Sequence, residues 1–163
     1  MSEEPRRLRA VFDCIVFLQG AAREASPAGI CLHLVDSGLL DLFVSDEIIA
    51  EIGDVFRRPL LQRRLSVLTD EFVKNFVAAL IARAVSIRDV PRIFEYPRDP
   101  KDERYINLAL AAQADYLVSR DNDILDLASS EQPEGRSFRE RFPHLRIVDP
   151  VAFLRAVQMP SEE

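Results

Sequence analysis

Cysteine, histidine and lysine are all scarce in this chain, with two of each in 163 residues. Cys14 and Cys31 are too few for a disulfide framework and do not show zinc-site spacing. His33 falls in a helical pattern and His144 follows Pro143, so neither has a second histidine at ligand spacing. No apolar run approaches the roughly 20 residues of a membrane span. The start, Met1 to Arg9, is charged and lacks the apolar stretch of a signal peptide. These absences lead us to expect a cytoplasmic protein with no membrane partner. Positive charge is nearly all arginine, since the only lysines are Lys74 and Lys101. The net charge of -6 argues against a generally basic nucleic-acid wrapper.

What is present is globular. Hydrophobic residues make up 48% and charged residues 29%, and the length suits one domain with a real core. No repeat or linker divides the chain, so a single domain over 1–163 is expected. Leu8 to Phe12 reads as a short buried strand ending at Asp13. Ser26-Pro27 pairs an N-cap with proline at the first helical position, and Gly38 stops that helix. Leu42-Phe43-Val44 is a second strand, and Ser45 caps a helix with apolar spacing from Ile48 to Phe56. Pro59 breaks it, and a short helix can resume there. Thr69 caps a further helix with the apolar stripe Phe72, Val73, Phe76, Val77, Leu80 and Ile81.

Val85 to Ile87 reads as an edge strand, and Asp89 to Arg98 as a loop. Asp99-Pro100 repeats the cap-plus-proline signal before a helix through Ile106 and Leu108. Tyr116-Leu117-Val118 is a strand leading to Ser119-Arg120-Asp121, and Ile124 to Ala128 reads as a short helix. Ser129 to Phe142 is polar and reads as a mobile loop. Leu145 to Val148 is a last strand, with a terminal helix from Asp149-Pro150. Strands alternate with helices throughout. We therefore expect an α/β fold, a three-layer α/β/α sandwich with a central, mostly parallel sheet.

In such sheets ligands bind outside the carboxyl ends of the strands. Asp13 and Asp121 fall there. Asp102 lies in a first helical turn, where the dipole favours a carboxylate. Glu51 lies about two turns into its helix and must reach inward. Carboxylates that converge without cations repel, so the set points to a divalent-metal site. Such an ion suits phosphodiester cleavage. Asp99 and Asp149 read as helix caps, and Cys14 as packing. Tyr96 is a candidate for base stacking.

Several stretches carry a family resemblance over nearly the whole chain. They are Val11-Phe12-Asp13-Cys14, Val44 to Ile48 leading to Glu51 and Arg57-Arg58-Pro59, Arg98-Asp99-Pro100-Lys101-Asp102-Glu103, and Leu108 to Asp121. The last, ending Asp-Tyr-Leu-Val-Ser-Arg-Asp, is the most specific. The chain resembles PIN domains, and among them the group of toxins from prokaryotic toxin–antitoxin systems. The resemblance implies that Asp13, Glu51, Asp102 and Asp121 form a catalytic acidic quartet. Asp13, Asp102 and Asp121 would hold Mg²⁺ or Mn²⁺ to cleave single-stranded RNA. Glu103 and Asp123 are auxiliary acids. Asp102 and Glu103 are adjacent on a helix, so only one can face the site fully, and Glu103 remains the second choice. Ser119 matches a small hydroxyl position that orients an acid.

Arg57, Arg58 and Arg120 are the RNA-binding candidates. An antitoxin protein is the expected partner, and a homodimer the expected assembly. One departure stands out: the family places Asn two residues after the first Asp, and this chain has Ile15. That favours, as the alternative, an RNA- or protein-binding module of the same fold with weak or lost cleavage. A flavodoxin-like phospho-receiver is disfavoured, because Phe12 and Cys14 flank Asp13 where an acidic pair is needed.

Overall fold

The computed structural model describes residues 7–158; residues 1–6, part of the charged start, and 159–163 lie outside it. Five short strands form one parallel sheet: β1 (Leu8–Phe12), β2 (Leu40–Val44), β3 (Val85–Ser86), β4 (Tyr116–Val118) and β5 (Arg146–Val148). Their order across the sheet is β3-β2-β1-β4-β5. The chain thus steps outward from β1 to β3 on one side and from β4 to β5 on the other. Right-handed crossovers running in opposite directions place their helices on opposite faces. The result is the expected three-layer α/β/α sandwich. The crevice at the topological switch point opens between the carboxyl ends of β1 and β4. Register there is tight: Phe12 pairs with Val118, and the Asp13 N–H donates to the Val118 carbonyl at 3.0 Å.

The helices are α1 (Cys14–Ala22), α2 (Pro27–Asp36), α3 (Asp46–Phe56), α4 (Pro59–Arg64), α5 (Asp70–Arg83), α6 (Glu103–Ala111), α7 (Asn122–Ser129), α8 (Pro133–Arg141) and α9 (Pro150–Gln158). The caps follow the sequence signals. Ser26, Ser45 and Thr69 each accept from a backbone N–H three residues on. Asp149 does the same for α9. Central strands are apolar on both faces, as a sheet covered on both sides requires: Ala10, Val11, Phe12, Leu117 and Val118 are fully buried. Among the described residues, no helix is long and apolar enough to cross a membrane.

Two segments depart from the sequence reading. Cys14 to Ala22 is a helix that the apolar, β-branched run Cys14-Ile15-Val16-Phe17 did not announce. Asp13 starts it by accepting from the Val16 N–H at 2.9 Å. Ser129 to Phe142, expected as a mobile loop, contains α8. Its polar surface hid one anchor. Phe138 is buried against Phe94, with ring centroids 4.9 Å apart and planes at 75°, and against Phe142 at 5.1 Å.

Candidate metal centre

Four elements meet at the switch-point crevice. Asp13 follows β1, Ser119 to Asp121 follow β4, Asp102 closes a 3₁₀ turn (Pro100–Asp102) that opens α6, and Asp123 sits in the first turn of α7.

Asp13 is 2% exposed and well supplied with donors. Its Oδ1 accepts from the Val16 N–H. Its Oδ2 accepts from the Ser119 hydroxyl and, at 3.1 Å, from the Arg120 N–H. The Ser119 oxygen in turn accepts from the Asp121 N–H at 2.9 Å. Burial raises the Asp13 pKa, these bonds oppose the rise, and the charge of Asp121 adds to it. Ile15, 39% exposed, takes no part in this support. Backbone N–H groups and Ser119 hold Asp13 without the asparagine that the family places there.

Asp102 is 7% exposed and its situation is the reverse. Its Oδ2 is buried without a hydrogen-bond partner among the described residues. Carboxylate oxygens of Asp99, Asp102 and Asp123 lie within 4.8 Å of one another. Burial pushes the Asp102 pKa up to about 8, followed by the charges of Asp121 and Asp99, a hydrogen bond shared with Asp99, and the charge of Asp123. Asp121 raises both Asp13 and Asp102, so it stands electrostatically between them. It also caps α7, accepting from the Asp123 N–H at 2.8 Å.

The donor set fits a hard divalent cation. All the groups are carboxylates, and ligand oxygens at 2.0–2.6 Å from one ion stand up to about 5 Å apart. The orphaned Asp102 oxygen is the strongest sign, because a buried charged acceptor without a partner is costly. Asp99, read from sequence only as a cap, does cap the turn through the Lys101 N–H at 3.1 Å and also joins the cluster. Its Asp-Pro-Lys-Asp spacing, three residues before Asp102 across a tight turn, was the available signal.

The remaining predicted residues lie around this centre. Glu51 does not enter the cluster. Its Oε2 accepts from Arg104 Nη1 at 2.7 Å, and Arg104 Nε lies 3.6 Å from Glu47. The Tyr105 hydroxyl is buried without a well-formed hydrogen bond, close to Cys14 and Glu51, and burial raises its pKa. Cys14 is pushed up to about 12, by burial first and then by Glu51 and Asp13, so it stays a thiol. Glu103 turns away from Asp102. It takes two bonds from Arg92, at 3.0 and 3.1 Å, and one from the Tyr96 N–H at 2.7 Å. Arg92 first and the Tyr96 N–H second hold its carboxyl below the usual range.

Tyr96 is fully buried and donates its hydroxyl to the Asp123 carbonyl at 2.6 Å, so base stacking is not its role. Arg57 donates to the Gly53 carbonyl at 3.2 Å, and Arg58 lies 3.9 Å from Asp54. Arg120 is exposed, and its backbone supports Asp13. Two residues were missed in the sequence. Arg98 Nε lies 2.8 Å from Asp123 and its Nη2 2.7 Å from Asp126. Asn107 accepts from the Ile93 and Phe94 N–H groups and donates to the Phe94 carbonyl, fastening the loop before the acidic turn.

Comparison with known proteins adds one result. A PIN domain family model matches residues 9–123, from β1 to the first turn of α7. No curated protein and no solved structure gives a match. The matched span includes every acid of the crevice and covers well over half of the chain. PIN domains are generally nucleases, and the fold here is nuclease-like and carries an acidic cluster. On this match the chain belongs to the PIN domain family.

Proposed function

We propose that this protein is a metal-dependent endoribonuclease that hydrolyses single-stranded RNA, using Mg²⁺ or Mn²⁺. The observation that carries the reading is the buried, unpartnered Asp102 Oδ2 within a carboxylate cluster at the switch point. Asp102, Asp99 and Asp123 would hold the cation, with Asp121 and Asp13 beside them. A cation there would polarise a phosphodiester and make water a stronger nucleophile. The chain's own residues prepare the ground. Ser119 and the Arg120 N–H fix Asp13, and Asp121 is fixed through Ser119 and the α7 N-terminus. Preorganised acids do not reorient when charge develops. Neither cysteine competes as nucleophile, since burial pushes both thiols up to about 12.

The test is cleavage of single-stranded RNA by purified protein with Mn²⁺, with Mg²⁺, and with chelator. Activity in the first two that disappears in chelator and in Asp102→Asn supports the reading. Equal activity of wild type and Asp102→Asn sinks it. We further propose a toxin role with an antitoxin protein as partner and a homodimer as the assembly, supported by the sequence resemblance. Growth arrest on expression, absent for Asp102→Asn, is the expected outcome.

One observation favours a second reading, a binding module with weak cleavage: Glu51 is occupied by Arg104. RNA binding without Mn²⁺ binding or turnover would select it.

A further inference from the structure

The PIN match ends at Asp123, yet the chain continues past the acidic cluster and builds a cavity against it. This cavity measures about 440 Å³. Tyr96 and Leu127 line it, together with Arg98, Ser130, Gln132 and Glu134. Two of these residues also touch the cluster. Arg98 holds the Asp123 carboxylate, and the Tyr96 hydroxyl holds the Asp123 carbonyl. The cavity and the cluster therefore share a wall.

Arg98 is the pivotal side chain. Its Nε and Nη2 are aligned by Asp123 and Asp126, three residues apart on α7. The side chain is 45% exposed, and its third nitrogen remains for a ligand oxygen. A guanidinium fixed by two carboxylates loses little freedom on binding and matches phosphate geometry. Beyond it the cavity combines an apolar floor, Tyr96 and Leu127, with Ser130, Gln132 and Glu134, which offer donors and acceptors. Its size lies within the range of small-molecule pockets. A phosphate beside a polar-edged, apolar-floored cavity describes a nucleotide.

We infer that Arg98 and this cavity form a nucleotide subsite beside the acidic cluster, with Arg98 binding the phosphate next to the one cleaved and the cavity receiving its base. The inference rests on the single-stranded RNA reading above and adds base selection to it. Gln132 and Glu134 set which base edge fits, and both lie outside the family match, so the preference belongs to this chain.

The test is equilibrium binding of fluorescent homopolymeric ribo-oligonucleotides of the four bases to the full chain, with Ca²⁺ as the probe cation, at several salt concentrations. Wild type should discriminate among the four. The double variant Gln132→Ala/Glu134→Ala should change the order or flatten it by roughly five- to tenfold, leaving Mn²⁺ affinity unchanged. Arg98→Gln should weaken binding of all four and lower the salt slope by about 1, whereas Arg98→Lys keeps the slope. Arg83→Gln, at the far end of the sheet where Arg83 bonds the Asp36 carbonyl, should leave the slope unchanged.

Wild type that binds RNA while neither the double variant nor Arg98→Gln alters preference or slope overturns the subsite alone. Wild type that binds none of the four overturns the RNA reading together with the subsite.

Discussion

The two ends of the acidic crevice hold carboxylates of similar burial in opposite circumstances. Asp13 is surrounded by donors, namely two backbone N–H groups and the Ser119 hydroxyl. Asp102 is surrounded by other acids and keeps one oxygen unpaired. Burial raises both pKa values, but only at Asp13 does the protein supply the opposing bonds. The difference assigns the two residues different work. Asp13 is built into the frame, where it caps α1 and ties β1 to β4. Asp102 is left for a charge that the chain does not itself provide.

The largest effects should come from exchanging each acid for its amide. Both Asp13→Asn and Asp102→Asn should lower metal-dependent cleavage by more than about 100-fold. Their stabilities should move in opposite directions. An amide at 13 sets an N–H against one of the donors around it and should cost about 2 kcal/mol. An amide at 102 sets its N–H among carboxylates and removes a repelled charge. The metal-free protein should then melt higher at pH 8. Thermal melts in chelator check both, and a destabilised Asp102→Asn would erase the contrast.

The next effect is pH dependence. In the folded protein Asp102 keeps its proton up to about pH 8, whereas in the unfolded chain it loses it near about 3.9. Between those values the native state binds more protons, so metal-free stability falls as pH rises and levels off above about 8. Asp13, also raised, contributes with the same sign. Adding Mn²⁺ should therefore raise the melting temperature more at pH 8 than at pH 5.5. The Asp102→Asn variant should keep only the part of the slope due to Asp13. Melts across this range with and without Mn²⁺ give the answer.

Asp99 sharpens the comparison further. Asn caps helices as well as Asp, so Asp99→Asn should change stability by a few tenths of a kcal/mol at most. Mn²⁺ affinity should fall by about tenfold, because a charged ligand oxygen is lost. Titration calorimetry separates the outcomes, and unchanged affinity would return Asp99 to a capping role alone.

The sheet order, the caps and the position of Asp13 and Asp121 at strand ends were legible in the sequence. They depend on local signals: proline after a cap residue, short apolar strands, helical spacing. What was not legible depends on partners distant in sequence. α8 hides behind a polar surface because its one core residue, Phe138, meets Phe94 from a distant loop. Asp99 and Asp102 meet Asp123 only after β4 and α7 close the crevice. Glu103 sits beside Asp102 in sequence, yet Arg92 and the Tyr96 N–H turn it to the far side of the turn. Rotation between helical neighbours predicts that only one can face the site; which one is decided by the Arg92 loop. Glu103→Ala should therefore leave Mn²⁺ affinity unchanged while costing about 1–2 kcal/mol, chiefly for the Tyr96 N–H left without its acceptor.

Glu51 gives the smallest expected effect and the finest test. The family resemblance places it in the quartet, but its carboxylate is bound to Arg104 at 2.7 Å. Both side chains are about one-quarter exposed, so solvent screens the pair and its contribution to stability is modest. If Glu51 acts only through that pair, Glu51→Gln should leave Mn²⁺ affinity within about threefold of wild type and shift stability by less than about 1 kcal/mol. Removing Arg104 is the informative counterpart. With Arg104→Gln, Glu51 is free to join the acids, and the added negative charge should tighten Mn²⁺ binding. The double variant should then return to the wild-type value. A cycle of these variants, read by calorimetry, measures how far Arg104 withholds the fourth acid from the cation. Loss of Mn²⁺ binding in Glu51→Gln alone would show instead that Glu51 reaches the cation despite the pair.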